Sequence, residues 1–238
     1  MFLKTYIILL LVFLLSWATR GNNNPILPGY FADPTIKKFD GVYYIYSTDG
    51  IKLASGQPSV WISYDFEHWV NQELDIELPN GLTNCWAPDV VKSADGKYYY
   101  YMGNCQFGCN IYGYVSDNPV GPWKPINDGK AVIPVGTGKE NLPALDAQFL
   151  LDDDGSIYSY FGTWCTSFDG VGWAKINSTD MHTIEDEGYI PIEQLPHAFE
   201  AAYPIKMNDK YILMYSSGDC RLSSYAVHYA YSDSPTGP

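Results

Sequence analysis

A turn followed by an aromatic strand recurs four times along this chain, and the repeat constrains the fold more than any other feature. The four copies read DGVYYIYST from Asp40, DGKYYYYMG from Asp95, DGSIYSYFG from Asp154 and NDKYILMYSSG from Asn208. Their starts lie 55, 59 and 54 residues apart. Because Asp-Gly and Asn-Asp pairs tolerate the positive φ of tight turns, each copy predicts a β-hairpin.

A further strand with a partly shared ending follows three of the copies: VWISYDFEHW from Val60, IYGYVSDNPVGPW from Ile111 and AVHYAYSDSPTGP from Ala226. In the third copy, VGWAKINSTDMHT from Val171 occupies the same place. Units of about 55 residues with several short antiparallel strands are typical of a β-propeller. We therefore predict an all-β propeller with about four blades in this chain. A β-sandwich does not predict so regular a repeat.

The fourth unit ends differently from the second. It stops at SDSPTGP, whereas the second copy continues with Trp123 and another strand. We expect the fourth blade to lack its outer strand and the propeller to be open along one side, as a C-terminally incomplete piece of a longer propeller. Completion of the last blade by N-terminal residues would contradict this expectation, since native folds avoid an exposed sheet edge.

Residues 1–20 have the layout of a secretory signal peptide. Lys4 precedes an apolar run from Tyr6 to Leu15, and small residues such as Ala18 follow. The run is short for a membrane span, and a short signal anchor is the alternative. We expect a secreted protein without a membrane partner, whose propeller domain covers residues 24–238.

The composition narrows the possible partners. A formal net charge of −13 argues against nucleic acid and anionic membranes, because both require a basic face. The 21 tyrosines and 7 tryptophans favour strands, and aromatic faces suit stacking on sugars. Among 5 cysteines at least one is outside a disulfide. Cys105 and Cys109 have a spacing seen at metal sites, but no second pair or nearby histidine completes a zinc ligand set.

One acidic residue stands near the start of the first strand of each unit. These are Asp33, Asp89, Asp146 and Glu200, which lie 56, 57 and 54 residues apart, in step with the repeat. The first strands of propeller blades line the central channel in the same direction, so the four carboxylates should gather at one mouth. Gathered like charges push at least one pKa upward, which allows a neutral general acid to act beside an ionised base. Glycoside hydrolysis uses such a pair; capping of strands and backbone amides is the alternative role.

Four motifs at these acids resemble those of glycoside hydrolase family 43, whose members are five-bladed propellers. They are YFADPT, NCWAPDV, ALDAQFLLDDDGSIY and AFEAAYPI, and the resemblance covers about residues 24–238. The resemblance implies that Asp33 is the general base, Glu200 the general acid and Asp146 the residue that orients the acid and tunes its pKa. The sequence departs from the common family pattern at Ala147 and Ala202, where prolines are frequent.

The same motifs imply further site residues. Phe31 and Trp86 are expected to lie at the substrate, and Asp89 to support the site and belong to its substrate-binding set. The apolar neighbours of Glu200 offer no cation, so burial and nearby Asp146 should raise its pKa.

The function implied by the resemblance is inverting hydrolysis of arabinose- or xylose-containing plant polysaccharides, such as arabinan, arabinoxylan and xylo-oligosaccharides. A sugar-binding propeller without catalysis and an inactive fragment are the alternatives. Fructoside-cleaving families 32 and 68 share the five-bladed plan but use an Arg-Asp-Pro motif, and neither Arg20 nor Arg221 is part of one. No cofactor is expected to be required. A structural calcium is possible in the full-length family fold, and none of the four histidines here matches its motif: His68, His182, His197 and His228.

Overall fold

The hairpin turns form where the sequence predicts them. Asp40 and Gly41 have φ values of 50° and 88°, and Asn208 and Asp209 have φ values of 51° and 58°. Each such pair adopts the left-handed conformation that Asn, Asp and Gly tolerate best, so the two strands on either side can pair immediately. Gly96 supplies the positive φ in the second unit, and the third unit uses its own glycine in the same way.

The computed structural model describes residues 25–27, 29, 31–48, 58–162 and 170–237. The predicted signal peptide lies outside these residues, as does Cys165. The four sheets are named blades one to four in chain order. Blade one contains β1 (Ala32–Phe39), β2 (Val42–Thr48), β3 (Ser59–Ser63) and β4 (Val70–Glu73); blade two contains β5 (Trp86–Lys92), β6 (Tyr98–Asn104), β7 (Asn110–Ser116) and β8 (Lys124–Pro125); blade three contains β9 (Leu145–Leu151), β10 (Ile157–Gly162), β11 (Gly170–Ile176) and β12 (Ile184–Pro191); blade four contains β13 (Ala198–Met207), β14 (Lys210–Ser217) and β15 (Ala226–Ser232).

Every blade is an antiparallel meander in which consecutive strands are hydrogen-bonded neighbours. Short 3₁₀ helices occur at Pro79–Gly81 and Asn127–Gly129. No helix in the described ranges is long and apolar enough to cross a lipid bilayer. The all-β propeller predicted from the repeat is confirmed, with four blades in the described part of the chain.

The blades are joined by three separate apolar cores. Tyr46 of blade one packs with Tyr100 and Trp123 of blade two, and all three are almost fully buried. Tyr101 of blade two stacks on Phe149 of blade three, with ring centroids 3.9 Å apart. The third core contains leucines, tyrosines and a valine from blades three and four. Tyrosine therefore fills the spaces between blades, which accounts for much of the aromatic content.

Blade four is less well covered than the others. Within the residues described, none of the apolar cores joins it to blade one, and no fourth strand pairs with β15. On its face away from blade three, Tyr203, Met214, Tyr229 and Tyr231 are exposed. Blade four thus has three strands within the described ranges, and an open side of the propeller stays a prediction.

Candidate active site

The first strand of every blade starts with a bulge that contains one left-handed residue. These residues are Asp33, Ala87, Asp146 and Ala201, with φ values of 49°, 38°, 54° and 57°. The pairing of each first strand with the second strand shifts register at this point. Left-handed residues other than glycine are uncommon, and bulges often re-aim side chains beside active sites. The bulge thus turns each first strand at the channel mouth.

The bulges correct the expectation that four acids occupy one repeated position. Asp33 and Asp146 share the left-handed position, but in blades two and four that position holds alanine. Asp89 lies two residues after the left-handed residue of its blade, and Glu200 lies one residue before. The spacing of the acids, at 56, 57 and 54 residues, is nearly regular and therefore hides these offsets of one and two residues.

Three of the four acids nevertheless meet in one pocket. It has a volume of about 260 Å³ and is lined by Asp33, Thr48, Trp86, Cys105, Leu145, Asp146 and Glu200. The lining therefore comes from all four blades. Asp33 is exposed to solvent, whereas Asp146 and Glu200 are partly buried.

Hydrogen bonds between adjacent blades hold the two aspartates. The Thr48 hydroxyl donates to Oδ2 of Asp33 at 2.7 Å and accepts from the backbone N–H of Ala87 at 2.9 Å. The backbone N–H of Ala201 lies 3.3 Å from Oδ2 of Asp146 and donates to it. Each alanine at a left-handed position thus supports the acid of the preceding blade.

Glu200 is held by a tyrosine and by close packing of its backbone. The Tyr225 hydroxyl donates to Oε1 of Glu200 at 2.9 Å, and the ring of Tyr225 meets Phe199 edge-on. A Cβ at Gly162 of β10 would lie only 2.8 Å from Cα of Glu200. A glycine is therefore required at this point of blade three for β13 to approach so closely.

Burial and like charge raise the pKa values of two of the carboxyl groups. Burial, followed by the charges of Glu200 and Asp33, raises the pKa of Asp146 to about 8, although the Ala201 N–H opposes this shift. Burial also raises the pKa of Glu200, against the effect of the Tyr225 hydroxyl, and the charge of Asp33 adds to the rise. The cluster therefore retains a proton at neutral pH.

The raised pKa of Glu200 agrees with the sequence-based expectation of burial among apolar neighbours. The charge that adds to the effect of burial is that of Asp33, whereas the sequence-based expectation named Asp146.

Asp89 is not among the residues that line the pocket, and its predicted place in the substrate-binding set stays a prediction. Its side chain is 0% exposed. Lys37 lies 2.6 Å from Oδ1, and the backbone N–H groups of Val90 and Phe149 each donate to the carboxylate at 2.8 Å. Since Lys37 belongs to blade one and Phe149 to blade three, Asp89 joins three blades beneath the site.

The two predicted aromatic residues differ in position. Trp86 is half-buried and lines the pocket. Phe31 is outside the set of lining residues and meets the ring of Trp61 edge-on, with centroids 5.3 Å apart. Phe31 thus packs on blade one rather than on the acids.

Sequence reasoning missed Thr48, Tyr225 and Cys105. Thr48 ends the first copy of the aromatic repeat, where the second and third copies end with glycine, so alignment of the copies could have singled it out. Tyr225 and Cys105 lie in loops between strands, and no repeated pattern marks them. Cys105 forms a disulfide with Cys109.

The other candidate sites in the described residues lack reactive side chains of this kind. A pocket of about 280 Å³ between blades three and four is lined mainly by apolar side chains such as Leu150 and Leu213, and no carboxylate lines it. Across the described ranges, no group of three His, Cys, Asp or Glu side chains is arranged to hold a metal ion.

The fold and the acid pocket define the class of this protein: a β-propeller that presents coupled carboxyl groups of the kind used to hydrolyse glycosidic bonds. The family described as glycosyl hydrolases family 43 matches residues 22–238, and the chain belongs to that family.

The relatives support this assignment over most of the chain. The chain is 30% identical over 232 residues to the beta-D-galactofuranosidase xynD of Aspergillus niger, covering 90% of this chain and 64% of the relative. It is 26% identical to an extracellular endo-alpha-(1->5)-L-arabinanase of Thermotoga petrophila, covering 87% and 50%. The structure of an alpha-L-arabinofuranosidase from Clostridium thermocellum matches with a TM-score of 0.71 at 26% identity, covering 90% and 72%. The chain thus spans less than two thirds of the two sequence relatives.

Proposed function

We propose that this protein is an inverting glycoside hydrolase that acts on arabinose- or xylose-containing plant polysaccharides and oligosaccharides. The observation that carries the proposal is the meeting of Asp33, Asp146 and Glu200 in one pocket, where burial and like charge keep a proton on the cluster. Hydrolysis with inversion needs one carboxylate to activate water and one carboxylic acid to protonate the leaving oxygen. Membership of family 43 supports this use of the pocket.

The surroundings of the three acids favour a separate catalytic role for each. Asp33 is the exposed member and has the Thr48 hydroxyl as a fixed donor, which suits an ionised base that takes a proton from water. Glu200 is partly buried with a raised pKa, which suits a general acid. Asp146 lines the same pocket, and burial together with the charge of Glu200 raises its pKa, which suits a residue that tunes how readily Glu200 is protonated.

The substrate class is inferred from the relatives. One relative is named as an endo-arabinanase and another as a galactofuranosidase. A β-D-galactofuranosidase is therefore the second candidate activity, favoured by the 30% identity over most of the chain. The relative named extracellular supports secretion, which the predicted signal peptide also favours. The proposed partner is thus a carbohydrate outside the cell.

A substrate panel tests the proposed function. The panel consists of p-nitrophenyl α-L-arabinofuranoside, β-D-xyloside and β-D-galactofuranoside, with debranched arabinan as the polymer. We expect turnover of at least one of these, and NMR of the first product should show the inverted anomer. Net retention would refute the assignment of Asp33 as base.

The two alternatives give different results in the same assay. A non-catalytic sugar-binding propeller would bind the oligosaccharides without hydrolysing any of the panel. If the chain is an inactive fragment, it would hydrolyse none of the panel, while a longer chain that includes these residues would hydrolyse at least one substrate. Turnover by the 238-residue chain excludes both.

A further inference from the structure

The interface between blades three and four contains an apolar pocket apart from the acid site. Its volume is about 280 Å³. Leu150, Tyr160 and Ile190 line it from blade three, and Leu213 and Ala230 line it from blade four. Among the described residues, the two pockets share no lining residue, and none of the side chains around this one is charged. The pocket therefore favours an uncharged, apolar ligand.

The interface between blades one and two is built on the same plan and shows what such a space can hold. Tyr46 of blade one and Tyr160 of blade three occupy the same place in their copies of the repeat. The Tyr46 hydroxyl donates to the carbonyl of Pro119 at 2.7 Å, and the Tyr160 hydroxyl donates to the carbonyl of Pro235. The two prolines occupy the same place in SDNPVGP and SDSPTGP. The two interfaces can therefore be compared residue by residue.

Three large aromatic rings pack together in the interface between blades one and two. The ring of Tyr100 lies 6.2 Å from that of Tyr114 and 5.5 Å from that of Trp123, measured between centroids. All three side chains are buried. Within the described residues, Nε1 of Trp123 has no hydrogen-bond partner, so the indole ring is held by shape and burial alone.

Blade four has smaller side chains at the places of both tyrosines. Tyr100 and Tyr114 are cross-strand partners in blade two, and Leu213 and Ala230 are the corresponding partners in blade four. Both of these smaller residues line the pocket. The pocket thus occupies space that aromatic rings fill between blades one and two. An apolar cavity of about 150 Å³ binds benzene, so one nearly twice as large suits two fused rings.

We propose that this pocket binds a free planar aromatic molecule with two fused rings, of about the size of indole. The ligand packs against Tyr160 and Ile190 on one side and against Leu213 and Ala230 on the other. It thereby holds blade four, which carries Glu200, against blade three. The site is independent of the proposed hydrolysis, since it is separate from the acid pocket and takes an uncharged aromatic ring rather than a sugar.

Calorimetric titration with indole tests the pocket. The proteins are the wild type, Ala230→Tyr and Ala226→Tyr. Ala230→Tyr adds the ring that Tyr114 has in blade two, whereas Ala226 is an exposed residue of the same strand outside the pocket lining. We expect the wild type and Ala226→Tyr to bind indole with a dissociation constant of roughly 0.1–1 mM. Ala230→Tyr should bind at least about 10-fold more weakly, because the added ring occupies the cavity. Equal affinity of the three proteins, or no binding by the wild type, would overturn the proposal.

Methyl NMR of the wild type locates the ligand without any substitution. Indole should shift the methyl resonances of Ala230, Leu213 and Ile190, because an aromatic ring changes the chemical shifts of the methyl groups that it contacts. The methyl groups of Val60 and Val90, in the core between blades one and two, should keep their positions. Shifts at other residues with none at Ala230 or Leu213 would place indole elsewhere and would contradict the assigned site.

Thermal unfolding measures the expected stabilisation of the contact between the two blades. With indole at about ten times its dissociation constant, the unfolding midpoint of the wild type should rise by about 3–6 °C. The midpoint of Ala230→Tyr should not rise with indole. A rise of the same size in both proteins would mean that indole acts outside the pocket, against the proposal.

A peptide separates a free ligand from an aromatic side chain of another polypeptide. Acetyl-Gly-Pro-Trp-amide reproduces residues 121–123, which end with Trp123. Peptide affinity no higher than that of indole would support a free aromatic molecule. Tighter binding of the peptide would overturn that assignment and identify the pocket as a place for a tryptophan side chain.

Discussion

Blades one and three differ from blades two and four at a single backbone position. All four first strands have a left-handed residue in the same bulge, but it is aspartate in blades one and three and alanine in blades two and four. Asp33 and Asp146 send their carboxylates into the pocket. Ala87 and Ala201 have no such side chain and contribute backbone N–H groups, to Thr48 and to Asp146.

The difference shows how one local conformation can serve two purposes. The bulge exposes a backbone N–H towards the preceding blade, and it directs a side chain towards the channel mouth. An aspartate there becomes a site acid, while an alanine leaves the N–H to hold the neighbour's acid. The acids of blades two and four are displaced along the strand, so Asp89 points into the interior and Glu200 reaches the pocket from the other side of the bulge. The following substitutions test the roles assigned to the acids of the four blades.

Removing either of the two proposed reacting carboxylates should have the largest effect. We expect Asp33→Asn and Glu200→Gln each to lower kcat/KM by about 10³- to 10⁴-fold, because the lost proton transfer has no substitute in the pocket. Asp186→Asn, in the exposed part of β12, is the matched control and should keep full activity. Rates are measured on the substrate that the panel selects, with circular dichroism to verify the fold. More than a tenth of wild-type activity in Glu200→Gln would remove that residue from the acid role.

Asp89→Asn should affect stability rather than chemistry. It leaves Lys37 without its buried partner, so we expect the free energy of unfolding to fall by about 3–5 kcal/mol. Asp40→Asn, which removes the exposed ion pair with Lys92, should change stability little. Urea denaturation at neutral pH measures both. Equal stability of the two variants would contradict the description of Asp89 as the residue that joins three blades.

Asp146→Asn should change how stability depends on pH. The folded-state pKa of Asp146 is raised to about 8 from the model-compound value of 3.8. Between these two values the native state binds more protons than the unfolded state, so this group makes the wild type less stable as the pH rises. Asparagine cannot ionise. Between pH 5 and pH 8 we therefore expect the free energy of unfolding of the variant to rise by about 1–3 kcal/mol relative to that of the wild type. If thermal unfolding shows the same change between the two pH values for both proteins, the pKa of Asp146 is not raised.

Tyr225→Phe should give the smallest effect, on the pH profile. The hydroxyl stabilises the anion of Glu200, so its removal should raise the pKa of Glu200 by up to about one unit. If Glu200 acts as the acid, the alkaline limb of kcat/KM should move to higher pH by the same amount. Tyr229→Phe, on the exposed face of β15, is the control and should leave the profile unchanged. A shift to lower pH would contradict the assigned hydrogen bond.

The fold could be predicted from the sequence because its signals are local and repeated. The turn pairs at Asp40 and Asn208 act within a few residues, and four copies of the same pattern exclude most other architectures. The convergence of Asp33, Asp146 and Glu200 followed from their position in the repeat together with the family motifs.

The finer arrangement of the site could not be predicted in this way. The direction of Asp89 depends on the two-residue offset from Ala87 and on Lys37 reaching it from another blade. Tyr225 reaches Glu200 from a loop whose sequence has no counterpart in the other units. The raised pKa values of Asp146 and Glu200 depend on burial, which arises only when the blades are packed together.

Glu200 belongs to blade four, which, like blade one, is joined to its neighbour through one apolar core within the residues described. Amide hydrogen exchange should therefore find β13 to β15 opening at a lower free energy than the central blades, as happens for elements with few buried contacts. Every such opening would separate Glu200 from Asp33 and Asp146. A sugar bound across the pocket would shift the equilibrium towards the closed form, so substrate itself would complete the catalytic centre.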